Sequence, residues 1–244
     1  YSDNSDVIRI VRIAFIMRFI TDLHTHSKYS RACSKYLTPE NIGAWCERKG
    51  IDIVSTADFT HPLWREKLKK SLEPAEKGLY KLKKSSPLSL RGARTRATRQ
   101  SQTRFLVSTE VSCIYKRHDK TRRVHLCIWM SSLEAAEAFS KKLEDMGKNV
   151  ASDGRPILGI DSEEILKMVL DIDEHAMVIP AHAWTPWFAI FGSMSGFDSL
   201  EECFGENAKH IHAIETGLSS DPPMNWQLSA LDNIALVSNS DAHS

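Results

Sequence analysis

Seven apolar, β-rich stretches of this chain each run into an acid or a histidine at or just past their C-terminal end. They are residues 18–24 (continuing to His26), 52–58, 104–110, 123–130 (with His125 inside), 176–182, 212–215 and 235–241 (continuing to His243). Strands separated by helix-length segments predict a parallel βα barrel. In such a barrel the C-terminal strand ends converge on one face, where the chemistry sits. The recurrence therefore predicts a single pocket crowded with carboxylates and imidazoles.

A chain of 244 residues accommodates one α/β barrel with a full core and is too short for a barrel plus a second sizeable domain. With 32 basic and 31 acidic residues, a formal net charge of +1 gives no global pull toward polyanions, so any nucleic-acid contact has to come from local patches. The five cysteines, Cys33, Cys46, Cys113, Cys127 and Cys203, lie far apart without a CxxC pair. They read as reduced thiols of a cytoplasmic protein rather than a disulfide framework or a Cys-only zinc site. The apolar run 7–20 is interrupted by Arg9, Arg12 and Arg18, too short to span a bilayer and without a small-residue cleavage site. Residues 1–16, ahead of Met17, read as an upstream extension. Residues 17–244 read as one catalytic domain cut short at its C-terminus, because a strand ending at Asp241 should lead into a helix.

Local signals place the helices. Thr38-Pro39-Glu40 combines an N-cap, a proline at the first helical position and an early acid, and Gly50 supplies a stop, predicting a helix over 39–49. A second helical stretch follows His61-Pro62, carries Trp64, Leu68, Leu72 and Leu79, and is expected to run out near Pro87. Residues 133–146 and 161–170 have amphipathic spacing. Residues 81–104 carry Lys81, Lys83, Lys84, Arg91, Arg94, Arg96, Arg99 and Arg104 without one acid. That strip is either a solvated loop or a contact for a phosphate backbone.

His24 and His26, two apart at a strand end, point to one side and can reach one metal cluster. Asp241 and His243 repeat the spacing. Neither pair is informative alone, but Asp58, His61, Glu110, His125 and His182 fall at or beside other strand ends. Burying so many polar groups unpaired would cost several kcal/mol each, and metal ions remove that cost. A mixed N/O donor set without thiolates suits two or three divalent ions sharing a carboxylate, an arrangement that acidifies water and clamps a phosphoryl group. Phosphoester hydrolysis is the chemistry this favours. Lys28 and Arg31 are candidates to hold the scissile phosphate. Trp184, Trp187 and Phe188 could stack on an extruded base or simply pack their loop. The loops 152–155, with Arg155, and 219–221, with Ser219 and Ser220, are places for base-edge contacts.

The series DLHTHS, a strand end containing TxD, STE, a lone strand histidine, PAH and SDAH resembles the PHP (polymerase and histidinol phosphatase) superfamily of metal-dependent phosphoesterases. The longer strings TDLHTHSKYSRACSKYLTPENI, ADFTHPLW, GRPILGID, PAHAWTPWFAIFGSMSGFDSLEECFG, ETGLSSDPPMNWQLSALD and SNSDAHS resemble its endonuclease Q branch, which nicks DNA on the 5′ side of deaminated bases. The resemblance covers 17–244. It implies an α/β fold, a distorted seven-stranded (β/α)7 TIM-like barrel. It also implies His24, His26, His125, His182, Asp241 and His243 as metal ligands, with Glu110 as the bridging carboxylate. Phe59 stands where the superfamily commonly has a histidine, so both Asp58 and His61 remain candidates. The acid usual after the first HxH is missing, with Ser30-Arg31-Ala32 in that region.

The resemblance thus implies a metal-dependent endonuclease of DNA repair, cutting 5′ to uracil, hypoxanthine, xanthine or an abasic site. Asp241, His243, Glu110 and Arg31 are its expected catalytic residues. Zinc is the foremost expected metal, with manganese, iron and magnesium as alternatives. DNA containing deaminated bases is the expected partner, together with a DNA sliding clamp contacted through further C-terminal sequence, and no membrane. The rival readings are a small-molecule phosphatase of the same superfamily and a catalytically silent nucleic-acid-binding module.

Overall fold

The computed structural model describes residues 18–83 and 103–244. In chain order the elements are β1 (Thr21–Asp22), α1 (Pro39–Lys49), β2 (Ile53–Ser55), α2 (Pro62–Ser71), β3 (Leu72–Pro74), β4 (Leu79–Leu82), β5 (Arg104–Arg117), β6 (Lys120–Met130), α3 (Leu133–Asp145), β7 (Ile157–Leu158), α4 (Ser162–Ile172), β8 (Met177–Pro180), α5 (Leu200–Phe204), β9 (Ala213–Glu215), α6 (Pro222–Asn225) and β10 (Ala235–Val237). The fold is mixed α/β around a central sheet. Each of the seven stretches that run into an acid or a histidine lies on one of these strands, β5 and β6 extending beyond theirs.

The helices form where capping chemistry permits. Thr38 accepts from the Asn41 N–H, Pro39 opens α1, and Gly50 closes it in the left-handed conformation at φ 74°. Ser132 caps α3 and Asp161 caps α4 in the same way. The second helix is shorter than its apolar spacing predicts. It stops at Ser71, and Leu72 and Leu79 lie instead in the antiparallel hairpin β3–β4, whose register pairs Leu72 with Leu82. The turn-forming run Glu76-Lys77-Gly78, with Gly78 at φ 78°, reverses the chain there.

β1, β2 and the first half of β5 run parallel. The second half of β5 pairs antiparallel with β6, and β6 antiparallel with β8, so the wholly parallel arrangement expected from the strand spacing does not hold. The reason is local. Only His118 and Asp119 separate β5 from β6, both with positive φ (51° and 60°), and such a two-residue turn can make only a hairpin. β9 and β10 pair parallel with each other. Backbone bonds then tie the strand ends together: Ala183 N–H to the Glu215 carbonyl (2.8 Å), Asp241 N–H to that of His24 (3.0 Å), and His26 N–H to that of Ala242 (3.1 Å).

The core lies between this sheet and α1 to α4, with Phe59, Trp64, Phe105, Leu126, Phe139, Leu158 and Ile165 fully buried. Trp64 serves the site as well as the core, because its Nε1–H donates to the carbonyls of Thr56 (3.0 Å) and Ala57 (2.9 Å), the residues that lead into Asp58. Of the basic strip, Lys81 pairs with Glu73, Arg104 with Glu76, and Lys83 donates to carbonyls at the end of α2. Lys84, Arg91, Arg94, Arg96 and Arg99 lie outside the described residues. No helix among the described residues is long and apolar enough to cross a membrane.

Trp64→Phe leaves two buried carbonyls without their donor and should lower unfolding stability by about 1–3 kcal/mol. Denaturant titration checks this, and an unchanged midpoint would mean that the indole N–H is dispensable.

Candidate metal centre

Glu110 sits on β5 directly opposite Cys127 of β6, with His125 two residues away on the same face. It is almost completely buried, and its two oxygens face different groups. Oε1 lies 2.7 Å from His125 Nδ1 and 3.2 Å from His182 Nε2. Oε2 lies 3.3 Å from His26 Nε2, 3.6 Å from His24 Nε2 and 3.1 Å from Arg155 Nη1. Asp241 Oδ1 completes the second side, 3.0 Å from His26 Nε2 and 3.5 Å from His24 Nε2. Two sets of donor atoms result, His24–His26–Glu110–Asp241 and Glu110–His125–His182, each with all atoms within 4.8 Å of one another.

Backbone conformation aims these groups. Asp58, His182 and Asp241, each just past a strand, have positive φ (42°, 31° and 49°). Non-glycine residues held there cost about 1–3 kcal/mol each and persist only where their surroundings impose the conformation. Gly217 shows such an imposition. It has φ 61°, and a Cβ on it would come within 2.6 Å of His182 Cβ, so only glycine lets the loop after β9 close over that histidine.

The charges are coupled. Burial pulls the His26 imidazole down, but Asp241, Asp58 and Glu110 more than offset it and raise it to about 12. His24 is likewise raised, the Cys127 and Glu110 neighbours outweighing its burial. Glu110 is held well below the usual carboxylate range despite burial, by His125 and His24. Burial dominates at His125, which is lowered and so favours its neutral form. Burial also pushes the Cys127 thiol up to about 12, which keeps a thiolate out of the donor set. The residues fit divalent metal. The donors are imidazole and carboxylate, and His24 Nε2, which faces the carboxylates, is a buried nitrogen without a hydrogen-bond partner among the described residues.

Around this centre the other candidate residues divide. The His243 ring lies tilted against that of His26, with centroids 4.5 Å apart, and donates its Nδ1–H to the Asp241 carbonyl (2.7 Å). Asp58 lies on the far side of His26, its Oδ1 3.3 Å from Nδ1. His61 is buried against the Tyr29 ring (4.2 Å), with Nδ1 unpartnered among the described residues. Neither Asp58 nor His61 nor His243 falls within the two donor sets. Phe59 turns into the core against Phe139. Lys28 is exposed over the Tyr29 ring, and Arg31 is exposed with Asp153 at 3.9 Å.

Trp184 is a packing residue: its Nε1–H donates to Asn225 Oδ1 (2.9 Å) and its ring packs on Phe191. Trp187 is nearly half exposed beneath the Arg123 guanidinium, and Phe188, at φ 60°, places its ring 4.7 Å from that of His125. Ser220 bonds the Thr216 carbonyl within its own loop, and Ser219 is exposed. The 152–155 loop supports the site directly, since Gly154 N–H donates to the Tyr29 carbonyl and Arg155 reaches Glu110. Asn239 was not evident from sequence. It accepts from Leu23 N–H and donates to Glu215, and only its place two residues before Asp241 hinted at a role.

No family model matches the chain. It is 28% identical over 165 residues to an uncharacterised protein of Methanocaldococcus jannaschii, covering 68% of this chain and 16% of that one. It is 31% identical over 126 residues to an uncharacterised protein of Bacillus subtilis, covering 50% and 30%. Among solved structures it matches the lesion-specific endonuclease PfuEndoQ from Pyrococcus furiosus, with TM-score 0.75, 31% identity, 93% of this chain and 49% of that one. It also matches endonuclease Q in complex with a 27-mer duplex bearing an abasic lesion at the active site, with TM-score 0.76, 31% identity and coverage of 93% and 50%. A Bifidobacterium adolescentis protein described as a metal-dependent phosphoesterase shares the fold, with TM-score 0.55, 12% identity and coverage of 93% and 89%. The chain spans about half the length of the solved endonucleases and less than a third of the two uncharacterised relatives. The resemblance read from the sequence is borne out in that the chain is similar to endonuclease Q over most of its own length.

Because His26 is raised from 6.5 to about 12, its protonation stabilises the metal-free fold fully below about pH 6.5, and that contribution is lost as pH rises toward 12. Bound metal would take the place of these protons. Calorimetric titration of chelator-stripped protein with zinc near pH 7, in buffers of different ionisation enthalpy, should show net proton release. A heat independent of buffer would contradict it.

Proposed function

We propose that this chain is the metal-dependent phosphodiesterase portion of a DNA repair endonuclease that cuts on the 5′ side of a deaminated base or an abasic site. The observation that carries the reading is Glu110, one buried carboxylate shared between two imidazole sets, in a chain similar over most of its length to a lesion-specific endonuclease. The backbone bonds joining the ends of β8 to β9 and of β10 to β1 support a seven-stranded closure around that carboxylate, formed by β1, β2, β5, β6, β8, β9 and β10.

In this reading His24, His26, Glu110 and Asp241 would hold one divalent ion and Glu110, His125 and His182 a second, with His243 beside His26. Bound ions would supply Lewis acidity toward a phosphoryl oxygen and acidify a water. The chain's own residues do the rest. Glu110 fixes the spacing of the two positions. Asp241, the donor-set carboxylate most open to solvent, is placed to take the proton of the attacking water. Attack at phosphorus breaks the P–O3′ bond, and the departing 3′ oxygen takes up a proton, leaving a 3′-hydroxyl and a 5′-phosphate. Arg155 carries the positive charge nearest Glu110 and is suited to hold a non-bridging phosphate oxygen, with Lys28 and Arg31 on the exposed rim. Phe188, whose ring lies beside His125, and the half-exposed Trp187 next to it in the chain offer the ring faces on which a base beside the cut could stack.

The test is a nicking assay with zinc or manganese on end-labelled duplexes carrying one abasic site, one deoxyuridine, one deoxyinosine or none. Cleavage 5′ to the lesion, abolished by Asp241→Ala and reduced about 10–100-fold by Arg155→Ala, is expected, the latter being the loss of one charge-assisted bond. Intact duplexes from a protein that binds metal and hydrolyses a small phosphomonoester would move the reading to a phosphatase.

A further inference from the structure

We propose that Asp58 and Glu215 are not metal ligands but a matched pair of positioning residues, each fixing the tautomer and direction of one histidine of the His24–His26 pair. The inference rests on the metal-centre reading above and settles which atoms of that centre face the ions.

The two carboxylates have the same surroundings. Glu215, buried at the end of β9, lies 3.1 and 3.0 Å from His24 Nδ1 through its two oxygens, and accepts from His182 N–H (2.9 Å) and Asn239 Nδ2 (2.9 Å). Asp58, wholly buried after β2, lies 3.3 Å from His26 Nδ1 and accepts from Ser27 N–H (2.7 Å) and Ser30 Oγ (2.7 Å). Each is thus engaged by one imidazole, one backbone N–H and one side-chain donor, and each sits on the Nδ1 side of its histidine. The opposite nitrogens converge on the centre, His24 Nε2 and His26 Nε2 both within 3.6 Å of Glu110 Oε2 and of Asp241 Oδ1.

An imidazole whose Nδ1–H is bound to a carboxylate presents the lone pair of Nε2, with its ring fixed and its basicity raised. A carboxylate with three donors on it has little capacity left for a cation, and neither Asp58 nor Glu215 belongs to the donor sets among the described residues. Gly154 gives an independent handle. A Cβ there would lie 2.3 Å from Asp58 Oδ2 and 2.5 Å from Ser30 Oγ, while its φ is one that alanine accepts. Gly154→Ala therefore displaces the Asp58 carboxylate without removing a single donor atom.

The experiment is zinc titration of chelator-stripped protein against a chromophoric competitor, reading ions per chain and affinity, for wild type, Asp58→Asn, Glu215→Gln, Gly154→Ala and the ligand control Asp241→Ala. All three positioning variants should saturate with the wild-type number of ions but bind them about 10–100-fold more weakly, while the control saturates short. The ¹⁵N shifts of zinc-loaded wild type should report His24 and His26 as Nδ1–H tautomers with Nε2 bound. Saturation of Asp58→Asn or Glu215→Gln one ion short would make that residue a ligand, and wild-type affinity in both would remove the positioning role. Should Asp58→Asn fail to fold, Gly154→Ala and the tautomer measurement decide. If wild type itself takes up no metal, the underlying reading falls, and this inference with it.

Discussion

A carboxylate shut away from water must be surrounded by donors or positive charge, and Glu110 is the group in this molecule where that requirement organises everything else. Four histidines and Arg155 approach its two oxygens from opposite sides. Burial alone would drive such a group to its protonated form, yet hydrogen bonds from His125 and His182 and the charge on His24 hold it ionised. The same arrangement is electrically close to what two cations need, which is why protons on His24 and His26 and divalent metal are alternative solutions to one problem of charge.

The fold serves that carboxylate by bringing four strand ends to it, while His125 reaches it from the face of β6. β1, β2, β8 and β10 each hand over to a residue that leaves the strand path at or near the centre, and three of these, Asp58, His182 and Asp241, have left-handed backbone. The price of that strain is met by packing: Trp64 beneath Ala57 and Asp58, Gly217 against His182, Gly154 against Asp58. Loops that look like substrate-facing additions in the sequence are therefore partly structural. The 152–155 turn is at once a wall of the site, through Gly154, and the carrier of its arginine.

The donor residues were legible because apolar runs ending in His, Asp or Glu recur seven times, and each run does lie on a strand. Helix ends were legible for the same local reason, as Thr38, Ser132 and Asp161 cap the helices their positions announce. Strand direction was not. The two-residue turn at His118-Asp119 lacks the Asn-Gly or Asp-Gly signature, so the β5–β6 hairpin was read as two separate strands. Leu72 and Leu79 continued a helical apolar spacing that Gly78 and the pairing with β5 overruled. The distinction between residues facing the centre and residues behind it was also out of reach, because it depends on which imidazole nitrogen a carboxylate meets. Asp58 and Asn239 could be placed only in three dimensions.

The central claim is that Glu110 is shared between two metal positions. Anomalous diffraction at the zinc edge from crystals of zinc-loaded protein tests it most directly. The account predicts two peaks flanking Glu110, one among His24, His26 and Asp241 and the other beside His125 and His182. A map without a peak at Glu110, or with a single ion that leaves one of its oxygens uncoordinated, would contradict it.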